Sequence, residues 1–559
     1  MSEYENVLEQ IRPFGPYQIR TFVLVSLFET PLAWAMLAPI FTASNPGVFC
    51  DTSQELNTTF WGLNKNQSKQ LGCGKNVYCQ TVPNISFLPD YTSIVSEWGL
   101  VCDKEYISDL ITSLQMTGVL FGALITGQLA DIFGRKKILF IEYGLLIVLW
   151  FCTGFAPRWE IYATLRFLVG GLIGGCLVVN FVLPLEFVTP AWRTFCGCIG
   201  FWAVGLMTLA PWAYLLRDWR TLDIAMSCSS VILLLLWWFI DESPRWLLSR
   251  GYLKEAEEII VKAANFNKRP VPDLSCLQNF VKREQIRKNE ERTYSYWHLC
   301  SSFHLTKGSL ICMFGWFVSS SVYYGHNFNS KNLVGNRYLN VFISGLVEIP
   351  ALIFVLVSNN YFGRRKTVFY LMFISGLACF SILLIDAFVS SEDDLEKRKA
   401  LTITMAMIGK SCISGGWAAV QIFSAETFPT VIRNIGIGAC SMAARIGGIV
   451  APQFGFLGQS SMQIPFTIFG ILSVACSFLM LLLKETMGAP LPDRLHRQSE
   501  IASSSVQVEL LVKDNMESNL SGNGDMSNYK DSQTQRDITP AEAESHQNSL
   551  ENGGVNPLL

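Results

Sequence analysis

GQLADIFGRKK, residues 127–137, returns in weakened form as SNNYFGRRK at 358–366. Two more stretches follow each copy in the same order. EFVTPAWR at 186–193 returns as ETFPTVIR at 426–433, both of the form Glu-x6-Arg, and DESPRW at 241–246 returns as KET at 484–486. The offsets run from roughly 230 to 245 residues, so the chain is written twice. In each copy a glycine permits a tight turn and a Lys/Arg cluster follows, which suits a short connector between two helices at a membrane surface.

The segments between the motifs fit that setting. Of 559 residues half are apolar and 16% are charged, against about 25% charged in a soluble domain. Mean hydropathy is +0.31. The net charge of −2 argues against a nucleic-acid partner. A membrane span needs about 20 apolar residues. Twelve segments meet that standard: 21–43, 107–130, 137–156, 159–181, 195–217, 222–241, 307–326, 338–361, 366–388, 400–422, 434–457 and 463–483. Many hold Gly, Ala and Ser, which let helices approach closely in lipid, and none alternates like a barrel strand. The expected fold is an all-α polytopic membrane protein with twelve transmembrane helices in two six-helix pseudo-repeats, 21–241 and 307–483. Parallel repeats of this kind place a substrate site at the midplane between them.

Loop charge sets the orientation. Loop 44–106 holds only Lys65, Lys69, Lys75 and Lys104, whereas the central loop 242–306 is dense in Lys and Arg. The positive-inside rule then puts the central loop, the N-terminal 1–20 and the tail 484–559 in the cytoplasm. The N-terminus lacks signal-peptide features, so the first apolar segment is read as a retained helix. Loop 44–106 carries Cys50, Cys73, Cys79 and Cys102, for which three pairings are open, and the glycosylation sequons Asn57, Asn66 and Asn84. Together they indicate a glycosylated, disulfide-bearing loop outside a plasma membrane. The tail is rich in Ser, Asn, Gln, Asp and Glu, a composition expected to be disordered and open to scaffold proteins.

These features resemble the major facilitator superfamily and, within it, the organic cation, organic anion and carnitine transporter family. SEWGLVCDKEY at 96–106, GQLADIFGRKK, RDWR at 217–220, ESPRWLLSRG at 242–251 and AETFPTVIRNIG at 425–436 carry the resemblance, with the Cys- and sequon-bearing first loop. It spans about residues 10–495. It implies a secondary carrier working by alternating access, with membrane lipid around it and no cofactor. Within the family that this chain resembles, the cation branch has an aspartate where Arg445 stands here. The anion and carnitine branches have arginine there. The anion branch also has a lysine just after the proline of the eighth helix, absent here from VEIPALIF at 347–354, and the cation branch's fourth-helix lysine near Gly174 is absent too. The chain thus looks closest to the zwitterion branch of carnitine and ergothioneine carriers. An organic cation or organic anion carrier of the same fold is the alternative, and a non-transporting receptor or scaffold a more distant one.

Charges within the spans are the candidate chemistry. A charge at the bilayer centre costs about 2.5–3.5 kcal/mol on insertion scales and marks a functional site by default. Arg445 lies in CSMAARIGGIVAP, 440–452, with no acid within a helical turn. Glu348, Lys410, Glu29 and Arg166 lie in the eighth, tenth, first and fourth segments. Two readings of Arg445 stand: an interhelical salt bridge, to Glu348 for instance, or a planar fork for a substrate carboxylate. Glu348 can serve a cation or a salt bridge. Lys410 reads as structural or coupling, and Arg166 stays open. An acid such as Glu29 could serve sodium or a proton, and no coordination set for either is legible. For a quaternary ammonium, aromatic faces are the partner. Trp316 and Tyr323 share a face of the seventh helix, Tyr324 and Phe328 adjoin it, and Phe181, Trp202, Trp212 and Trp417 are further candidates. At the cytoplasmic surface Asp131 with Arg135, Glu186 with Arg193, and Glu426 with Arg433 read as gating clusters. The chain has no ordered nucleophile–base pair and no GxxxxGK[ST] loop, which argues against an enzyme or an ATP-driven pump.

Overall fold

The computed structural model describes residues 3–46, 48–50, 85–87, 90–278, 281, 296–388, 395–429, 432–461 and 463–487. Asn57, Asn66, Asn84, Cys73 and Cys79 lie outside these residues, as do the side chains of Cys50 and Cys102. Among the described residues of the first loop, β1 (Val48–Cys50) pairs antiparallel with β2 (Ile85–Phe87), Cys50 opposite Ile85.

Nine helical stretches among the described residues are long and apolar enough to cross a membrane: Pro16–Thr42, Tyr106–Phe133, Trp159–Leu185, Pro190–Leu215, Trp219–Trp238, Arg337–Tyr361, Arg364–Ile385, Arg433–Gly458 and Gln463–Leu481. Three more helices fill the remaining places: Arg135–Thr153, Phe303–Asn329 and Leu395–Thr427. Each of these carries charged or polar residues that dilute its apolar run. Together they are spans 1 to 12 in chain order. Span 1 starts at Pro16, ahead of the apolar run, because proline opens a helix well at its first position.

The repeat visible in the sequence is a repeat in space. Gly134 and Gly363 both have positive φ, 108° and 88°. A Cβ on either would fall 2.5 Å from Glu242 or 2.8 Å from Glu485, so glycine is required twice over. Beyond Gly134, Glu242 Oε1 accepts from the backbone N–H groups of Arg135 and Lys136 at 2.9 and 3.0 Å. Beyond Gly363, Glu485 accepts from those of Arg364 and Arg365 at 2.9 and 3.2 Å. In each half a carboxylate from after the sixth helix thus caps the N-terminus of the third, satisfying donors that a helix start leaves free. Arg135 Nη1 then donates to the Ala130 carbonyl at 3.0 Å, and Arg364 Nη1 to that of Asn359 at 3.1 Å.

The two halves are fastened at the end of the bundle that carries loop 44–106. Lys331 Nζ meets Asp109 Oδ1 at 2.7 Å, with 6% and 3% of the side chains exposed. Ser113 donates to the Ile449 carbonyl at 2.9 Å and accepts from Gln453 at 3.0 Å. Arg337 lies 3.3 Å over the Tyr91 ring and donates to Ser44 at 3.2 Å.

Candidate functional site

Six spans, 1, 5, 7, 8, 10 and 11, bring charges and aromatic rings together. Glu29, Trp202, Glu348 and Arg445 each stand midway along spans 1, 5, 8 and 11. On the C-terminal half, Lys410 Nζ pairs with Glu348 Oε1 at 2.9 Å, both side chains 3% exposed. Tyr323 OH donates to Glu348 at 2.9 Å, and Lys410 sits 3.3 Å over the Tyr323 ring. Tyr323, Tyr324 and Trp417 contact one another edge to face, with centroids 5.3–5.9 Å apart, and Phe328 stacks on Tyr324 at 6.2 Å. Trp202 reaches this group from the other half: its indole N–H donates to Tyr323 OH at 2.8 Å.

Arg445 is partly exposed and makes neither an ion pair nor a hydrogen bond among the described residues. Its electrostatic neighbour is Tyr324. Gly448, one turn on, faces the Tyr324 ring. Of the two readings of Arg445, the salt bridge to Glu348 is not what forms, because Lys410 and Tyr323 already hold that carboxylate. Arg166 is a different case. It is fully buried, and its Nη2 meets Asp223 at 2.8 and 3.1 Å while its Nε donates to Tyr162 OH at 2.8 Å. That pair is internal to the N-terminal half.

Glu29 stands where span 1 is interrupted, between helices Pro16–Ser26 and Glu29–Leu37. Span 5 is interrupted beside it, between Pro190–Cys198 and Trp202–Leu215. The Glu29 carboxylate accepts from Trp202 N at 3.1 Å and from Asn180 Nδ2 at 3.1 Å. Gly200 makes room for it, since a Cβ there would lie 2.1 Å from Oε2.

Other candidates lie elsewhere. Trp316 is two turns along span 7 from Tyr323, and its indole donates to Ser424 at 3.0 Å. Phe181 is 50% exposed, its ring beside Gly197. Trp212 packs edge-on to Trp34 at 6.1 Å. His326, near the end of span 7, is buried, stacked on Phe469 at 5.0 Å and 3.5 Å from Cys379 Sγ.

At the end bearing the two glycine turns, Asp131 pairs with Arg135 at 2.7 Å and is itself 67% exposed. The Glu-x6-Arg spacing points to a partnership that the fold replaces. Glu186 meets Arg135 at 3.4 Å, and Arg193 meets Glu5 at 3.2 Å. In the second half Glu426 is held by Arg364 at 3.1 Å and by Thr486 at 2.6 Å, while Arg433 Nε donates to the Phe428 carbonyl. Each Glu thus reaches the arginine of its glycine turn, far away in sequence.

A helical bundle of two like halves, with unbalanced charge and aromatic rings at mid-depth, is the architecture of a major facilitator carrier. Residues 56–493 match the Sugar (and other) transporter family. The chain is 35% identical to the organic cation transporter protein of Drosophila melanogaster over 88% of its own length and 94% of that protein's. It is 31% identical to organic cation/carnitine transporter 2 of Homo sapiens over 90% and 95%. Among solved structures, the partially occluded inward-open xylose transporter XylE from E. coli superposes with a TM-score of 0.58 at 15% identity, covering 85% of this chain and all of that one. The chain belongs to the organic cation/carnitine transporter family of the major facilitator superfamily. It is a multi-pass membrane carrier and not an enzyme.

Proposed function

We propose that the protein moves small organic cations that also bear a carboxylate, carnitine- or ergothioneine-like zwitterions, across the plasma membrane by alternating access. The observation that carries this is Arg445: a guanidinium at mid-depth, partly exposed, beside Tyr324 and without an acid, while Lys410 and Arg166 are each neutralised by a carboxylate. The aromatic faces of Tyr324, Trp417 and Phe328 supply a surface for an alkylammonium. The relatives' names, organic cation transporter and organic cation/carnitine transporter, support the organic-cation part of this reading. In this reading loop 44–106 is outside and both termini are cytoplasmic. Lys410 and the clusters at Asp131, Arg135, Glu186, Arg193, Glu426 and Arg433 take coupling and gating roles.

The test is uptake into proteoliposomes of labelled carnitine, ergothioneine, a simple organic cation, an organic anion and a hexose, with and without sodium as the candidate coupling ion. Zwitterions are expected to enter best, the simple cation less well, and the anion and hexose at background. Anion uptake above zwitterion uptake overturns the assignment.

Alternating access also requires the fastened end to part. Breaking a buried ion pair costs about 3–5 kcal/mol, enough to move a two-state equilibrium by two or more orders of magnitude. Asp109→Ala is therefore expected to lower the maximal uptake rate about tenfold or more, with apparent affinity little changed. Exchanging the charges, Asp109→Lys with Lys331→Asp, should recover part of the rate. Initial-rate uptake at matched surface expression checks this; an unchanged maximal rate in Asp109→Ala would remove the pair from the gate.

A further inference from the structure

Within the bundle, three carboxylates have a cationic partner: Asp223 has Arg166, Glu348 has Lys410 and Asp109 has Lys331. Glu142 has none, but it is buried against the hydroxyl of Thr126 and Gly175, between spans 2, 3 and 4. Glu29 is the remaining case. It is partly exposed, midway through span 1, and no Lys, Arg or His among the described residues balances it. Both helices that meet there are interrupted at its level. Interrupted helices at mid-depth are where carriers build binding sites, and lone charges there mark function by default.

We infer that Glu29 receives the ammonium end of the substrate, so that one zwitterion spans the two halves, its carboxylate on Arg445 and its cation on Glu29. This rests on the carrier reading given above. The partners of Glu29 are the N–H groups of Asn180 and Trp202. They occupy part of the carboxylate, and Asn180 also holds a buried Oδ1 without a hydrogen-bond partner among the described residues; a sodium ion held by these oxygens would instead make Glu29→Gln alter all three probes below in parallel. The lone pairs left over suit a large, weakly hydrated organic cation. Trp202 links the two ends of the site. Its backbone N–H holds Glu29, its indole holds Tyr323, and Tyr323 packs on Tyr324, the electrostatic neighbour of Arg445. The lone anion belongs to the N-terminal half and the lone cation to the C-terminal half. A solute with both charges neutralises both and draws the halves together, whereas a solute with one charge leaves the other uncompensated. That difference is the selectivity.

The experiment uses the full chain in proteoliposomes and three probes: carnitine; choline, which has the ammonium without the carboxylate; and 3-hydroxy-5,5-dimethylhexanoate, which has the carboxylate with carbon in place of nitrogen. Glu29→Gln retains an acceptor for the Trp202 N–H and removes only the charge. It is expected to raise the KM for carnitine and choline about tenfold or more while leaving the carbon isostere unchanged or better bound. Glu29→Asp, which keeps the charge, should retain the preference for carnitine over the isostere. The Glu29 assignment is overturned if Glu29→Gln at matched surface expression alters all three probes in parallel or none of them. It is equally overturned if the variant keeps its preference for carnitine over the isostere and loses only a pH dependence of uptake, which would make Glu29 a proton site. Wild-type protein that takes up none of the probes overturns the proposed substrate class, and the Glu29 assignment that rests on it. Wild-type protein that takes choline and not carnitine removes the carboxylate reading, and the choline arm still decides Glu29.

Discussion

Arg445→Lys is expected to raise the apparent Km for a zwitterion by one to two orders of magnitude, at about 1.4 kcal/mol per order, with surface expression unchanged. A guanidinium offers a planar fork to both carboxylate oxygens and stays protonated when partly desolvated, whereas a lysine presents a single ammonium that desolvation can neutralise. Charge-assisted hydrogen bonds contribute roughly 1.5–3 kcal/mol each, so losing one of two falls in the expected range. Arg445→Asp should go further and reverse the preference, favouring a simple cation over a zwitterion, because it removes the carboxylate partner and adds an anion beside Tyr324. Competitive uptake of carnitine and choline reads both effects. If Arg445→Asp depresses the two in parallel at equal surface expression, Arg445 is a structural charge and the carboxylate site is wrong.

The architecture was legible because it is repeated. Gly134 and Gly363, Arg135 and Arg364, Glu242 and Glu485 occupy the same places in two halves, and a motif that recurs in order along the chain shows this without coordinates. The ion pairs were less legible. Glu186 and Arg193 are close in sequence, yet a turn and a helix start intervene, and the chain returns Arg135 to Glu186 from across the half. Only the fold brings those residues together. Lys331 and Asp109 belong to different halves, and nothing in either local sequence announces the other. Asp223 is different. An acid just inside the sixth apolar segment was available as the match for Arg166, and the requirement that charges in a bundle be paired could have found it. Asn180 left no signal beyond being polar in an apolar run, and its role becomes visible only beside Glu29. The aromatic group came through in part. Tyr323, Tyr324, Trp202 and Trp417 converge, while the seven-residue spacing that also suggested Trp316 leaves it two turns away, because sharing a helix face does not mean sharing a depth.

The second large effect concerns stability. Arg166 and Asp223 are both fully buried, and their neighbours make the pair a junction. Asp223 also accepts from Trp150 Nε1 at 3.0 Å and from Thr153 OH at 3.4 Å, while Arg166 Nη1 donates to the Ala35 carbonyl at 3.3 Å. Spans 1, 3, 4 and 6 are thereby tied at one point. Removing one partner leaves a buried charge with nothing to balance it, which costs about 3–5 kcal/mol, a large share of the about 5–15 kcal/mol that holds a typical fold together. Asp223→Ala is accordingly expected to lose most surface protein and to melt well below wild type in detergent. Replacing the pair together, Arg166→Met with Asp223→Leu, removes both charges and keeps apolar volume, and changes of that kind are often neutral or stabilising. The double variant should therefore regain much of the lost thermal stability, although the Trp150 and Thr153 donors lose their acceptor. Thermal unfolding of purified protein, followed by tryptophan fluorescence, distinguishes the outcomes. If Asp223→Ala melts like wild type, the pair does not support the half as described. If the double variant melts no higher than Asp223→Ala, the loss comes from the hydrogen bonds to Trp150 and Thr153 rather than from an unbalanced guanidinium.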